Sequence, residues 1–153
     1  MIVLQATRRS EMIAAQAELW IDVPFAWQGR VRAGCDCKGL IAGIAGELDF
    51  PEADSLLALA GDYGDRVPLA RLKAGLRALF DQVQDRGRGD LLLCNLRGAA
   101  QHLAIAAPIE GHPDRAIEAM PSGPARVRPG RWPAARVDSI WRWRALGPGI
   151  GAV

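Results

Sequence analysis

A polar turn followed by an apolar run with helical spacing, at residues 34–48, constrains the fold of this chain more than any other feature. The turn ends in Asp36-Cys37, and the apolar residues then recur at helical intervals: Leu40, Ile41, Ile44 and Leu48. Because aspartate is favoured at helix N-caps, the pattern predicts a helix with Cys37 in its first turn. A thiol there lies near unpaired backbone N–H groups and the positive end of the helix dipole, which favour the thiolate. Cys37 is therefore a candidate nucleophile.

A distant histidine completes the simplest chemistry for such a thiol. His102 opens an apolar stretch after the Gly-Asp-Leu-Leu-Leu segment at residues 89–93. A cysteine at a helix start and a histidine on a strand are typical of Cys-His hydrolases. The metal alternative is a zinc site built from Cys35, Cys37, Cys94 and His102. Because a Cys-x-Cys pair matches the usual zinc knuckle poorly and no second knuckle exists, we expect neither a metal nor a cofactor.

The bulk composition is that of one globular domain. The chain has 153 residues, of which 50% are hydrophobic, and we assign residues 1–146 to a single domain and 147–153 to a flexible or docking tail. No apolar run reaches the roughly 18 residues of a membrane span. The charges of the N-terminal segment follow its short apolar piece, an order that differs from a secretory signal, so we expect cytoplasmic synthesis. Three cysteines, an odd number, argue against a disulfide framework.

Hydrophobic periodicity predicts helices first and strands after. The helices are expected at residues 7–21, from Cys37 onward, at 52–62 and at 69–84. The strands are expected at residues 91–94, 102–107, 116–119, 125–128 and 136–144. This order predicts an α+β fold with an antiparallel sheet. Three glycines in the Cys37 helix, Gly39, Gly43 and Gly46, predict close packing of another element against it.

Arginines and tryptophans are concentrated in residues 115–144. Seven arginines lie there with Trp132, Trp141 and Trp143, a combination compatible with a nucleic-acid surface, a docking face or strands with solvated arginines. No recognised nucleic-acid reader motif accompanies the charge, so we expect no direct nucleic-acid binding. The three tryptophans are expected in the core or at an interface.

Four segments in register resemble the NlpC/P60 family of papain-like cysteine peptidases, in particular its branch from phage tails and gene transfer agents. They are WIDVPFAWQG at residues 20–29, GCDCKGL at 34–40, GDLLL at 89–93 and HLAI at 102–105. Together they span nearly the whole chain, and the resemblance implies a papain-like α+β fold. In this fold N-terminal helices precede a small antiparallel sheet, and the nucleophile helix packs on that sheet.

The resemblance also implies an activity. Family members hydrolyse the peptide stems of peptidoglycan, typically between D-glutamate and a diamino acid. Matching the motifs assigns Cys37 as the nucleophile and His102 as the general base. The backbone N–H of Cys37 is a candidate oxyanion donor.

The third catalytic position is assigned to Glu118, with His112 as the alternative. The family usually places a histidine on the strand after the histidine strand. A hairpin centred on Glu110 would set position 102 opposite 118, on one sheet face. The segment at residues 117–119, Ile-Glu-Ala, also resembles the family's Ile-His-Ala. A carboxylate can orient an imidazole and stabilise its imidazolium, whereas His112 falls in the predicted turn.

The candidate substrate-binding residues are Trp27, Phe25 and Asp36. Family members often have tyrosine where this chain has Phe25, so a hydroxyl near the nucleophile is missing. Trp27 lies beside the nucleophile loop and is a candidate substrate platform. Asp36 is expected mainly to cap the helix and fix the loop.

Two functions from different classes follow. The first is a cell-wall endopeptidase assembled into a virion-like tail particle, which opens peptidoglycan for DNA delivery and has tail or baseplate proteins as partners. The second is a catalytically weak or inactive peptidase-like adaptor of the tail hub or baseplate. An intact Cys37 and His102 favour the enzyme. A weaker option is an amidase or acyltransferase that uses the same two residues on another amide.

Overall fold

The computed structural model describes residues 2–59, 68–96 and 98–145. The helices are α1 (Ile2–Leu19), α2 (Cys37–Glu47), α3 (Ala53–Ala58) and α4 (Leu69–Leu79), with a short hairpin of β1 (Arg30–Val31) and β2 (Gly34–Cys35) before α2. The strands that follow are β3 (Phe80–Val83), β4 (Leu91–Leu96), β5 (Ala99–Ala106), β6 (Arg115–Met120), β7 (Arg126–Arg131) and β8 (Val137–Trp143). A single turn of 3₁₀ helix at Ala134–Arg136 precedes β8. The predicted α+β order is confirmed.

The strands from β3 to β8 form one antiparallel sheet in the order β3-β8-β4-β5-β6-β7. The last strand, β8, inserts between β3 and β4, so that Leu91 pairs with Trp141 and Phe80 pairs with Trp143. From β4 to β7 each strand pairs with the next one along the chain. The sheet therefore places β5 and β6, which carry the candidate site, side by side.

The two faces of the sheet carry cores of different size. The larger core joins the helices to one face through buried residues that include Leu40, Leu76, Leu93 and Ile105. The smaller core lies on the other face and consists of Leu92, Cys94, Ala104, Ala106, Ala116 and Trp132. Because side chains alternate along a strand, His102 and Glu118 belong to this second face.

Close packing explains two of the three glycines in α2. A Cβ at Gly39 would lie 1.7 Å from the Gly29 carbonyl oxygen, and one at Gly43 would lie 2.4 Å from that of Arg30. The segment before α2 thus approaches the helix backbone directly. The prediction is wrong for Gly46, where an added Cβ meets nothing within 4 Å.

The helix predicted at residues 69–84 ends earlier, and its last residues form β3. Helix α4 ends at Leu79, where Arg144 donates hydrogen bonds to the carbonyls of Ala78 and Phe80. The Phe80 ring then packs edge-on against Trp143, with ring centroids 4.9 Å apart. A cation at the helix C-terminus and a long-range aromatic contact therefore outweigh the local helical periodicity.

The tryptophans predicted to lie in the core or at an interface are in the core. Trp132, Trp141 and Trp143 are buried, so the arginine-rich segment does not present them as a surface. In the part of the chain that the structure describes, no helix is both long and apolar enough to cross a membrane. The predicted tail at residues 147–153 and the end of the helix predicted at 52–62 lie outside the described residues, and the domain boundary stays a prediction.

Candidate active site

The start of α2 is held by Asp36, as the sequence predicts. Its Oδ1 accepts a hydrogen bond of 2.7 Å from the Gly39 N–H, which caps the helix. Its Oδ2 accepts a hydrogen bond of 3.0 Å from the Gln28 N–H. Asp36 therefore ties the preceding loop to the helix, and the half-buried Cys37 is the first helical residue. A role for Asp36 in substrate binding stays a prediction.

Strands β5 and β6 separate from each other beside the start of α2. Strands β5 and β6 pair only at Ile105–Ile117 and Ala106–Ala116, although both strands continue beyond these residues. Helix α2 contacts both strands, and a backbone hydrogen bond from Leu103 reaches the Cys37 thiol. Because β5 separates from β6 here, a backbone N–H of β5 can donate to the Cys37 sulfur instead of to a carbonyl of the neighbouring strand.

The structure brings Glu118 against His102. His102 Nε2 and Glu118 Oε1 are 2.6 Å apart, and both side chains are buried. The hairpin register is two residues from the predicted one, because position 105 pairs with 117 and not with 115. A shift of two residues keeps every side chain on its predicted face, so the contact survives as a diagonal one.

The alternative third residue, His112, lies elsewhere. It is exposed in the turn between β5 and β6, where its backbone pairs with that of Ile109. The turn is therefore near its predicted position, but its geometry sets a register different from the predicted one. Of the two candidates, the structure brings Glu118 to His102.

The electrostatics of Cys37 and His102 favour a thiolate–imidazolium pair. Burial alone would raise the pKa of Cys37, but its hydrogen bond to His102, the charge of His102 and the Leu103 hydrogen bond lower that pKa below its ordinary value. Burial alone would lower the pKa of His102, but hydrogen bonds to Cys37 and Glu118 raise it to about 9. Since Nε2 faces Glu118, Nδ1 is the ring nitrogen left for the sulfur.

The pKa values of the other two cysteines, Cys35 and Cys94, are raised instead of lowered. Both are buried, and burial, followed by the negative charge of Asp36, raises the pKa of Cys35 to about 12. Burial and the charge of Glu118 also raise the pKa of Cys94. Cys35 therefore stays a neutral thiol although it lies two residues from Cys37. Among the described residues, no group of three or more His, Cys, Asp and Glu side chains is arranged to hold a metal ion.

Trp132 is a member of the site that sequence reasoning missed. Its Nε1 donates a hydrogen bond of 2.8 Å to Glu118 Oε1, the oxygen that also faces His102. The neighbouring Gly130 leaves room for the carboxylate, because a Cβ there would lie 1.9 Å from Glu118 Oε2. The signal that could have found this corner is a glycine within a strand, which often marks a close approach, but the strand predicted at 125–128 ended before it.

The loop that carries Phe25 and Trp27 is fixed beside the helix start. The Ala26 N–H donates to the Cys35 carbonyl, and the Cys35 N–H donates to the Pro24 carbonyl. The Phe25 and Trp27 rings pack edge-to-face with centroids 4.8 Å apart, and Trp27 is 68% exposed. An exposed indole on an anchored loop suits a substrate platform, and this role stays a prediction for both residues.

Comparison with known proteins gives a structural match without a sequence match. No protein-family model matches the chain, and no curated protein matches it. The NlpC/P60 domain of the peptidoglycan hydrolase SagA is 22% identical with a TM-score of 0.56, over 86% of this chain and 97% of that one.

Two further solved structures agree. NlpC2 from Trichomonas vaginalis is 17% identical with a TM-score of 0.61, over 90% of this chain and 47% of that one. The P60 domain of an antigen from M. avium subspecies paratuberculosis is 16% identical with a TM-score of 0.55, over 93% of this chain and 98% of that one. The predicted fold, with N-terminal helices and the nucleophile helix on an antiparallel sheet, is thus confirmed. The chain has the papain-like fold of NlpC/P60 domains.

Proposed function

We propose that the protein is a cysteine peptidase that hydrolyses amide bonds in the stem peptides of peptidoglycan. The observation that carries this proposal is the chain of contacts from Cys37 through His102 to Glu118, in which the Cys37 pKa is lowered and the His102 pKa is raised. A thiol without a chemical role needs no such neighbours, as Cys35 and Cys94 illustrate.

In the proposed first step, the Cys37 thiolate attacks the carbonyl carbon of the scissile amide and forms a C–S bond. The resulting oxyanion is stabilised by backbone N–H groups at the start of α2, including that of Cys37. When the intermediate collapses, the C–N bond breaks and the His102 imidazolium gives its proton to the leaving amine. An acyl-enzyme thioester and a neutral imidazole remain.

In the second step, the neutral His102 removes a proton from water, which attacks the thioester carbonyl. The C–S bond breaks, the acyl group leaves as a carboxylic acid, and the thiolate–imidazolium pair is restored. Glu118 accepts a hydrogen bond from the imidazole Nε2–H, which places Nδ1 toward the sulfur. The buried, short contact between Glu118 and His102 supports this orienting role.

The substrate assignment rests on two further points. One of the structural neighbours is a peptidoglycan hydrolase by name, and the sequence motifs resemble a family that cuts between D-glutamate and a diamino acid. We propose the same bond here, with Trp27 and Phe25 contacting the substrate beside Cys37. We also propose that the enzyme is made in the cytoplasm, assembles into the tail or baseplate of a phage-like particle, and opens the wall for DNA delivery.

The test is digestion of purified peptidoglycan, with the released fragments identified by mass spectrometry. The wild type is expected to release fragments cut within the stem peptide, and Cys37→Ser is expected to release none. Cys35→Ala is the matched control, because it removes a thiol two residues away whose pKa is raised, and it should cut the same bond. The masses of the new termini identify that bond.

The adaptor alternative predicts a different result. If neither protein releases fragments while both are folded, the assay is repeated on whole tail particles. Activity that emerges only in particles would support activation by a tail partner. Silence there too, with Cys37→Ser particles still assembled and infective, would replace the peptidase with an inactive adaptor.

A further inference from the structure

We propose that Trp132 is a positioning residue of the site, which holds the Glu118 carboxylate in the orientation that directs His102 toward Cys37. This inference rests on the proposed cysteine peptidase function. Trp132 lies directly after β7 and would be a fourth residue of the site, with an indole that does not contact the reacting atoms.

The geometry centres on one oxygen atom. Glu118 Oε1 lies 2.6 Å from His102 Nε2 and 2.8 Å from Trp132 Nε1. The two rings are neighbours, with centroids 5.4 Å apart and planes tilted by 37°. His102 Nε2 and Trp132 Nε1 therefore contact the same oxygen of the Glu118 carboxylate.

The Trp132 indole can only donate a hydrogen bond to Glu118. Its N–H donates and never accepts, so the oxygen opposite it must act as an acceptor. Glu118 then accepts from His102 Nε2–H, and Nδ1 is left to exchange a proton with the sulfur. Trp132 thus selects the productive imidazole tautomer through Glu118.

The fold holds Trp132 in place independently of the site. Its backbone N–H donates to the Asp114 carbonyl, and the residue is only 3% exposed within the smaller core. The Arg136 guanidinium lies over the ring, 4.6 Å from a ring centroid. The indole is therefore fixed before it meets Glu118, as a positioning residue must be.

Gly130 contributes to the same arrangement because it leaves space for Oε2, the other oxygen of the Glu118 carboxylate. It lies opposite Ala116 on the β6–β7 ladder, and a Cβ at this position would stand 1.9 Å from Glu118 Oε2. Any larger residue would therefore push the carboxylate out of its position. Trp132 attracts one oxygen, and Gly130 leaves the space that the other one needs.

The test measures Cys37 alone and does not depend on knowing the substrate. Alkylation by iodoacetamide is followed against pH in the wild type and in Trp132→Phe, which keeps an aromatic ring but lacks the N–H. Loss of one charge-assisted hydrogen bond is expected to slow Cys37 alkylation at neutral pH by about tenfold and to move the profile toward higher pH. Turnover of peptidoglycan should fall through kcat with KM unchanged.

Trp141→Phe is the matched control. Trp141 is also buried on the sheet and also donates its indole N–H, but to Ser139 Oγ. Its replacement should lower stability by a similar amount and leave the alkylation profile unchanged. Denaturant unfolding of both variants separates the loss of a buried hydrogen bond from the loss of positioning.

Two more variants keep the inference testable if Trp132→Phe does not fold. Gly130→Ala should displace Glu118 and change the profile in the same direction. In a Glu118→Gln background, Trp132→Phe should have no further effect, because the indole acts through that carboxylate. A wild-type profile in folded Trp132→Phe or in Gly130→Ala would overturn the inference. A shifted profile without any peptidoglycan cleavage by the wild type would refute the proposed substrate and leave the positioning role standing.

Discussion

Within the described residues, two ion pairs have both side chains largely buried, and only one of them lies beside Cys37. Arg9 Nη2 reaches both oxygens of Glu52 at 2.5 and 2.6 Å, and His102 Nε2 reaches Glu118 at 2.6 Å. Side-chain exposure is 6% and 11% in the first pair and 4% and 6% in the second. Burial and distance are thus nearly the same, so they do not distinguish a structural pair from the proposed catalytic one.

The difference lies in whether the cation can release its proton. A guanidinium stays charged in proteins, and Arg9 lies over the Phe50 and Trp143 rings, where it fastens α1 to the core. An imidazole can exchange its proton, and His102 has a thiol on its other nitrogen. We therefore expect the first pair to contribute to stability and the second to reactivity. Substitutions in the two pairs should therefore have different effects.

The largest effect is expected from Glu118→Gln. An amide keeps the shape of the side chain but no longer stabilises the imidazolium, so turnover should fall by about 100-fold or more, within the range of acid–base contributions. Peptidoglycan cleavage measured as kcat checks this. His112→Gln is the control, since His112 is exposed in the hairpin turn, and it should retain wild-type turnover. The opposite ranking would move the third catalytic position to His112.

Glu52→Gln should have its effect on stability. Removing one partner of a buried ion pair leaves a buried charge without compensation, which lowers the free energy of unfolding by about 3 kcal/mol. Urea titration measures this loss, and the alkylation rate of Cys37 should be unchanged in the folded variant. Glu11→Gln is the control, because Glu11 pairs with Arg88 at the surface and its loss should lower stability by less than about 1 kcal/mol. Equal losses would mean that burial of the Arg9 pair adds nothing.

The pH dependence of kcat/KM should depend on the His102–Glu118 pair and not on the Arg9–Glu52 pair. Since the His102 pKa is raised to about 9, the imidazolium that protonates the leaving amine is present below that pH and is lost as the pH rises through it. Since the Cys37 pKa is lowered, the thiolate persists to lower pH than in an ordinary cysteine and is lost as the pH falls through that lowered value. The profile of kcat/KM should therefore be bell-shaped, with its alkaline side near pH 9.

Glu118→Gln sharpens this prediction, because loss of the carboxylate should move the alkaline side to lower pH. Glu52→Gln should leave both sides in place, since the Arg9–Glu52 pair lies at the Phe50 and Trp143 rings and not at the Cys37 thiol. The comparison is made with the folded variants at matched temperature. An alkaline side that stays in place in Glu118→Gln would show that Cys37 alone raises the His102 pKa.

The predictions from sequence were accurate where the cause is local. The Asp36 cap, the helix start at Cys37 and the shared face of His102 and Glu118 follow from a short-range hydrogen bond and from strand alternation. These rules act within a few residues or depend only on whether positions are odd or even. A shift of two residues in the hairpin therefore left the site residues together.

The failures have non-local causes. Strand β3 requires Trp143, which is far along the chain and packs on Phe80, and no periodicity within residues 69–84 reports it. Trp132 reaches Glu118 only because β7 extends to Arg131 and pairs with β6, which a strand predicted at 125–128 did not allow. Contacts with a strand far along the chain, as for Phe80 and Trp143, or with a residue beyond the predicted end of a strand, as for Trp132, are thus the part that the sequence alone did not predict.

The smallest effect is expected from Arg136→Gln, and it tests how far the support of the second pair extends. Both pairs are associated with a cation over an aromatic ring, but Arg9 is itself the buried ion, whereas Arg136 is exposed and one contact away, over Trp132. An exposed cation–π contact contributes about 0.5–1 kcal/mol, so kcat/KM should fall by no more than about fivefold.

Arg77→Gln is the control, because Arg77 lies over Trp141, whose indole donates to Ser139 instead of Glu118, and it should leave kcat/KM unchanged. A loss from Arg136→Gln as large as that from Trp132→Phe would mean that its charge acts on His102 directly, since fixing the indole alone cannot matter more than the hydrogen bond that the indole donates.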